Sequence, residues 1–145
     1  MKPTFWHVGL TVTDLEKSVN FYRDIVGMAE GARTPSANTQ FATLVNLPGA
    51  TLTTVFLTLD GFTLQLLQYL TQSGKTLDLA HNNIGSPHLS FFVPDAAAKY
   101  QSLTSGARVR VTSPLVTNAA GTIRSFYVAD PDGVPVELVD KIDPK

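Results

Sequence analysis

The apolar and polar positions of this chain run through one cycle twice. From Phe5 to Val12, Val8, Leu10 and Val12 alternate with His7, Gly9 and Thr11, the mark of a strand with one apolar face and one small or polar face. Asp14 stands where a helix N-cap belongs. Leu15, Val19, Tyr22 and Val26 follow at helical spacing, and Gly27 is placed to end the helix. From Met28 to Leu70 the sequence is of β type, with strands expected at Gln40 to Leu47, Thr51 to Leu59 and Phe62 to Leu70. The last two are joined by the hairpin pair Asp60-Gly61. Beyond a polar connection from Thr71 to Gly85 the order returns. A strand is expected from Pro87 to Val93, then Asp95 capping a helix from Ala96 to about Thr104, with Gly106 ending it. Strands follow around Ala107 to Thr112, Thr122 to Val128 and Pro135 to Val139. Asp130 to Gly133 forms the turn before the last strand, with Gly133 suited to a positive φ. Ser113 to Gly121 reads as a loop over the site.

The repetition extends to identities. HVGLTVTD, residues 7–14, and HLSFFVPD, residues 88–95, each run from a histidine through a strand to a capping aspartate. FTLQLL and VPVELV each set one long polar acceptor, Gln65 or Glu137, inside an apolar strand. The pattern predicts an α+β fold of two tandem βαβββ modules, about 5–70 and 86–140, joined by 71–85 within a single domain, 1–145. Their strands form a curled, mostly antiparallel mixed sheet with helices on its outer face.

His7, Gln65, His88 and Glu137 are all nitrogen or oxygen donors to divalent metals. Each lies opposite the apolar face of its own strand, so the four converge if the two sheets join edge to edge and curl. Two imidazoles and a carboxylate make a facial ligand set suited to Fe(II), with Mn, Zn, Ni, Co or Mg as alternatives and Gln65 as a weaker fourth donor. A lone strand histidine is more often packed or exposed than a ligand. Four donors at matched positions are something core packing does not require, because a buried Glu or Gln without partners is costly. His81 falls outside the pattern and reads as a solvated loop residue, and Trp6 and Phe92 read as core.

Composition narrows the partners. The formal charge of −1, with 16% charged residues, offers no footprint for nucleic acid or an anionic membrane. No apolar run reaches membrane-spanning length, and Met1 to Thr4 carries no signal-like segment, so a cytoplasmic protein acting on a small molecule is expected. Cysteine is absent, which removes thiolate ligands. Phe41, Phe56, Tyr69 and Phe92 supply an apolar lining, favouring an apolar or aromatic substrate.

HVGLTVTDLEKSVNFYRDIVGM, FTLQLLQYL, SPHLSFFVPD and SFYVADPDGVPVELVD together resemble the vicinal oxygen chelate superfamily, which includes glyoxalase I, methylmalonyl-CoA epimerase, extradiol dioxygenases, fosfomycin-resistance enzymes and bleomycin-binding proteins. The resemblance implies paired βαβββ modules, a homodimer, and a divalent metal on His7, Gln65, His88 and Glu137 that chelates adjacent oxygens of a substrate. The ligand combination is similar to the epimerase branch. The segment from Phe126 to Glu137 is similar to the end of the extradiol signature, with Tyr127 and Glu137 as its catalytic residues. Asn118 stands where that signature has a histidine, and the double histidine of the epimerase branch is reduced to His88. Three functions follow. The first is an extradiol-type dioxygenase, the second an isomerase, epimerase or lyase working through a metal-stabilised enolate, and the third a non-enzymatic binder of a drug or metabolite.

Overall fold

The computed structural model describes residues 2–36, 39–106 and 108–142. The chain divides into two compact units, Met1–Thr76 and Leu77–Lys145. The first is built from β1 (Val8–Thr11), α1 (Leu15–Phe21) running on as a π-helical turn (Tyr22–Val26), β2 (Ala29–Ser36), α2 (Thr39–Leu44), β3 (Leu52–Leu59) and β4 (Phe62–Tyr69). Its sheet has the order β1-β4-β3-β2, with β1 parallel to β4 and the other pairs antiparallel. The second holds β5 (Leu89–Phe92), α3 (Ala96–Gly106), β6 (Arg110–Val111), β7 (Val116–Thr117), β8 (Ile123–Ala129) and β9 (Pro135–Lys141). Its order is β5-β9-β8-β6, with β7 also on β8, and again the first strand is parallel to the last. Two mixed sheets, each with helix on one face, bear out the α+β reading.

Local sequence accounts for most of the boundaries. The Asp14 carboxylate accepts from the Lys17 N–H at 3.1 Å, and that of Asp95 accepts from Ala97 and Ala98 at 2.9 and 3.0 Å, so both helices begin on the capping aspartate. Gly27 ends the first helix at φ 92°. Asp60 and Gly61, at φ 46° and 79°, form the tight hairpin turn whose twist matches that of the flanking strands. The Asp130 side chain accepts from the backbone of Asp132 and Val134, and Gly133 sits at φ 91°.

Burial explains which face each sheet covers. In the first unit Leu10, Val55, Leu57, Leu64 and Leu66 are buried on the side where α1 lies, with Leu15, Val19 and Tyr22 of the helical segment buried as well. In the second, Leu89, Phe91, Phe126, Val128, Val136 and Leu138 are buried, and α3 packs on β8 and β9 with Tyr100 edge-on to Phe126 at 5.1 Å. Each fully buried aliphatic or aromatic side chain contributes about 1.5–3 kcal/mol, so these alternating positions hold the sheets to their helices.

The structure departs from expectation in four places. Gln40 to Leu47 is not a strand: Thr39–Leu44 is helical, and Thr43 Oγ donates back to the Thr39 carbonyl. The missing strand is β2, which pairs with β3 although almost all of it is exposed. An edge strand with no buried face carries no apolar alternation, and β2 also contains Pro35 and a register shift between Glu30 and Arg33. The expected strand at 107–112 is reduced to Arg110–Val111, Ala107 lying outside the described residues. Ser113 to Gly121 is not all loop, since Val116 and Thr117 pair with Ser125 and Arg124.

Candidate functional site

In each unit the face away from the helix carries one histidine, one long polar acceptor and an aromatic ring in the same relation. In the first, Gly9 and Phe56 are the register partners of Gln65 on either side of β4. His7, just before β1, is edge-on to Phe56 with ring centroids 5.6 Å apart and planes at 78°. In the second, Ser90 and Tyr127 are the register partners of Glu137. His88, just before β5, is edge-on to Tyr127 at 6.0 Å and 76°. Parity puts these side chains on one face, and the ring contacts show that both histidines turn onto it. His7 is thus brought together with the strand position of Gln65, and His88 with those of Glu137 and Tyr127.

The acceptors differ in their settings. The amide oxygen of Gln65 lies beside Gly9, 3.8 Å from the place a Cβ would occupy there, an ordinary packing distance. Glu137 Oε2 accepts from Ser90 Oγ at 2.7 Å, a charge-assisted bond that fixes the carboxylate orientation. Ser90 was not among the expected site residues, although its position two places after His88 puts it on the same face. The Tyr127 hydroxyl is pushed above its ordinary pKa by partial burial and then by the charge of Glu137. It therefore stays protonated near neutral pH and is available as a donor.

His7 Nδ1 is buried and has no hydrogen-bond partner among the described residues. An imidazole nitrogen left so costs about 1–3 kcal/mol unless something satisfies it. A divalent cation is one such partner, and imidazole, amide and carboxylate are a donor set that such a cation accepts. Within neither unit do three or more His, Asp or Glu side chains gather closely enough to hold an ion, among the described residues. Each unit offers a pair of candidate donors.

A third ring joins each group. Trp6 stacks on Phe56 at 6.3 Å and meets His7 edge-on at 4.5 Å. His81 meets Tyr127 edge-on at 4.6 Å and lies 6.4 Å from His88. His81 is exposed, as expected of a loop residue, but it is part of this ring cluster rather than free in solvent. Trp6 and Phe92 are not core: they are 73% and 67% exposed, and Lys141 lies over the Phe92 ring at 5.3 Å. Alternation alone could not reveal this, because on a one-sided sheet the open face also carries large rings. Asn118 has a structural use, its side-chain oxygen accepting from the Thr122 and Ile123 backbone in the turn before β8.

Comparison with known proteins gives the chain's family and fold. The family model for the Glyoxalase/Bleomycin resistance protein/Dioxygenase superfamily matches residues 4–138. A glyoxalase family protein from Bacillus cereus superposes with a TM-score of 0.81 at 16% identity, over 94% of this chain and 92% of that one. The trypanothione-dependent glyoxalase I of Leishmania major gives 0.64 at 21% identity, over 96% and 87%. A variant of the fosfomycin resistance protein FosX from Listeria monocytogenes, complexed with Mn(II) and 1S,2S-dihydroxypropylphosphonic acid, gives 0.65 at 19% identity, over 95% and 92%. At these identities the likeness is one of fold. A search of curated proteins gave no match.

Proposed function

We propose, for a chain that belongs to the Glyoxalase/Bleomycin resistance protein/Dioxygenase superfamily, that it is a metal-dependent enzyme whose ion is held by His7, Gln65, His88 and Glu137. The observation that carries this reading is the doubled arrangement, a histidine edge-on to an aromatic ring beside a registered acceptor, once in each unit. Packing has no need to repeat such a pattern, and neither pair suffices alone for an ion that takes four to six ligands. Fe(II) is the first candidate, with Mn, Zn, Ni, Co and Mg behind it. When bound, the ion would act as a Lewis acid on two adjacent oxygens of a small apolar or aromatic substrate.

The chain's own residues do the rest. Glu137, steadied by Ser90, supplies the negative charge, and Tyr127 donates its hydroxyl proton in a hydrogen bond to a substrate oxygen. The registered pair Tyr127 and Glu137 favours oxygenation of the extradiol type. The neutral amide of Gln65, as a fourth donor, favours a second reading, a proton-transferring isomerase or lyase. Assembly as a homodimer belongs to the same proposal and rests on the resemblance in sequence, and action in the cytoplasm stays the expectation drawn from the sequence.

Protein purified under nitrogen decides between these. Stoichiometric Fe(II), with oxygen uptake on adding a catechol, supports oxygenation. Another divalent ion, with deuterium entering the substrate from solvent and no oxygen uptake, supports the isomerase. His88→Ala is expected to abolish metal retention. Retention equal to that of the unsubstituted protein overturns the ligand assignment, and a protein without metal whose ligand affinity ignores chelator is a binder.

A further inference from the structure

The segment leading into β5 is more ordered than a connection requires. Ala80 N–H donates to Asp78 Oδ1 at 3.1 Å, and Asn83 Nδ2 donates to the Asp78 carbonyl at 3.0 Å. Ser86 Oγ donates to the Leu79 carbonyl at 3.1 Å, while the Asn83 and Ser86 N–H groups close successive turns onto the Ala80 and Asn83 carbonyls at 2.9 and 3.1 Å. Gly85, at φ 91°, lets the chain reverse toward His88. Residues 78–86 are thus a loop braced from within by three side chains. Its one ring, His81, is carried to Tyr127 at 4.6 Å.

We propose that His81 is a substrate-contacting residue of the second unit, presented by this braced loop to small, planar, oxygen-bearing ligands that engage Glu137 and His88. The inference rests on the metal-site reading above. Three rings, His81, His88 and Tyr127, stand pairwise 4.6–6.4 Å apart beside the strand position of Glu137, and two of them are exposed. An imidazole offers a donor and an acceptor on one flat ring, so it can bond an oxygen while its face lies along a conjugated system. A loop serving only to link two units has no reason to fix a histidine there. His81 stands against Tyr127 on the face that carries Glu137, which makes it a determinant of which ligands are accepted there.

The test uses the full chain loaded with Mn(II) and titrated with tropolone, a planar chelator with adjacent oxygens, followed by its absorbance. His81→Ala is expected to leave Mn(II) affinity and melting temperature unchanged and to weaken tropolone binding about tenfold, the worth of one lost hydrogen bond with its contact. His81→Gln, which keeps a donor and an acceptor, recovers part of that loss. Ser86→Ala, which loosens the brace without removing a contacting group, weakens binding by a smaller factor. Equal tropolone affinity in the unsubstituted protein and His81→Ala, with Mn(II) held by both, overturns the inference and leaves the metal reading standing. If the unsubstituted protein holds neither Mn(II) nor any of Fe(II), Zn, Ni, Co and Mg, the metal reading fails. The same titrations in chelator then decide His81: binding lost in His81→Ala retains it as a contact, and equal or absent binding removes it.

Discussion

The two units follow one plan but differ in charge at two equivalent positions of the strand that closes each. The strand that closes the first reads Leu64, Gln65, Leu66, Leu67, Gln68, and the strand that closes the second reads Val136, Glu137, Leu138, Val139, Asp140. The amide is replaced by the acid twice, three residues apart, so one replacement falls on the open face and the other on the face toward the helix. On the helix side the geometry is conserved. Leu15 N–H donates to Gln68 Oε1 at 3.1 Å, and Ala96 N–H donates to Asp140 Oδ2 at 2.9 Å, so in both units the last strand reaches over to hold the first N–H of the helix. Gln68 completes its own bonding by donating to the Thr13 carbonyl. Asp140, almost fully buried, has no proton to give and is instead gripped by Arg124, its register partner on β8. The opposite partner of Gln68 is Thr53, and no cation is needed there. On the open face no lysine or arginine among the described residues forms an ion pair with Glu137. The second unit therefore neutralises its structural carboxylate internally and keeps the other on the open face, the arrangement the proposed metal site calls for.

The largest test of this difference exchanges the open-face acceptors. Glu137→Gln, which makes the second unit resemble the first, is expected to weaken Mn(II) binding by more than about a hundredfold, beyond what loss of an outer hydrogen-bond partner causes. Gln65→Glu is expected to strengthen it, and calorimetry on both variants reads the contrast. Unchanged affinity in Glu137→Gln would break the comparison.

Next comes the buried carboxylate. Asp140→Asn should lower the unfolding free energy by about 1.5–3 kcal/mol, the range for hydrogen bonds to a charged group, in urea denaturation at neutral pH. The Arg124 guanidinium, aided by the Ala96 N–H, holds the Asp140 carboxyl below its ordinary 3.8. A depressed pKa stabilises fully above the unfolded value and is lost as pH falls through the folded one. The two proteins should thus converge in stability only below 3.8; a gap that persists unchanged in stronger acid would assign the effect to packing.

The smallest effect belongs to the neutral counterpart. Gln68→Ala should cost about 1 kcal/mol, the net worth of an uncharged hydrogen bond, with no pH dependence in acid. A cost as large as that of Asp140→Asn would mean that charge is not what separates the units.

Much of this was readable in the chain because the forces concerned are local. A capping aspartate bonds an N–H two or three residues on, a turn glycine answers to its own φ, and a strand sorts its side chains with period two. Hence Asp14, Asp95, Gly27, Gly61 and Gly133 stand where the sequence alone puts them, and His7, Gln65, His88 and Glu137 occupy the open faces. What tertiary structure decided are the features whose energy comes from across the fold. β2 exists because β3 offers it a ladder, although its own residues bury nothing. Asp140 is legible as an acid in a strand, but only the approach of Arg124 and the first N–H of α3 makes it a clamp. His81 belongs to no periodic element, and nothing in its neighbours names Tyr127. It meets that ring because Asp78, Asn83 and Ser86 fold the loop back, and a contact made by chain reversal leaves no period to read.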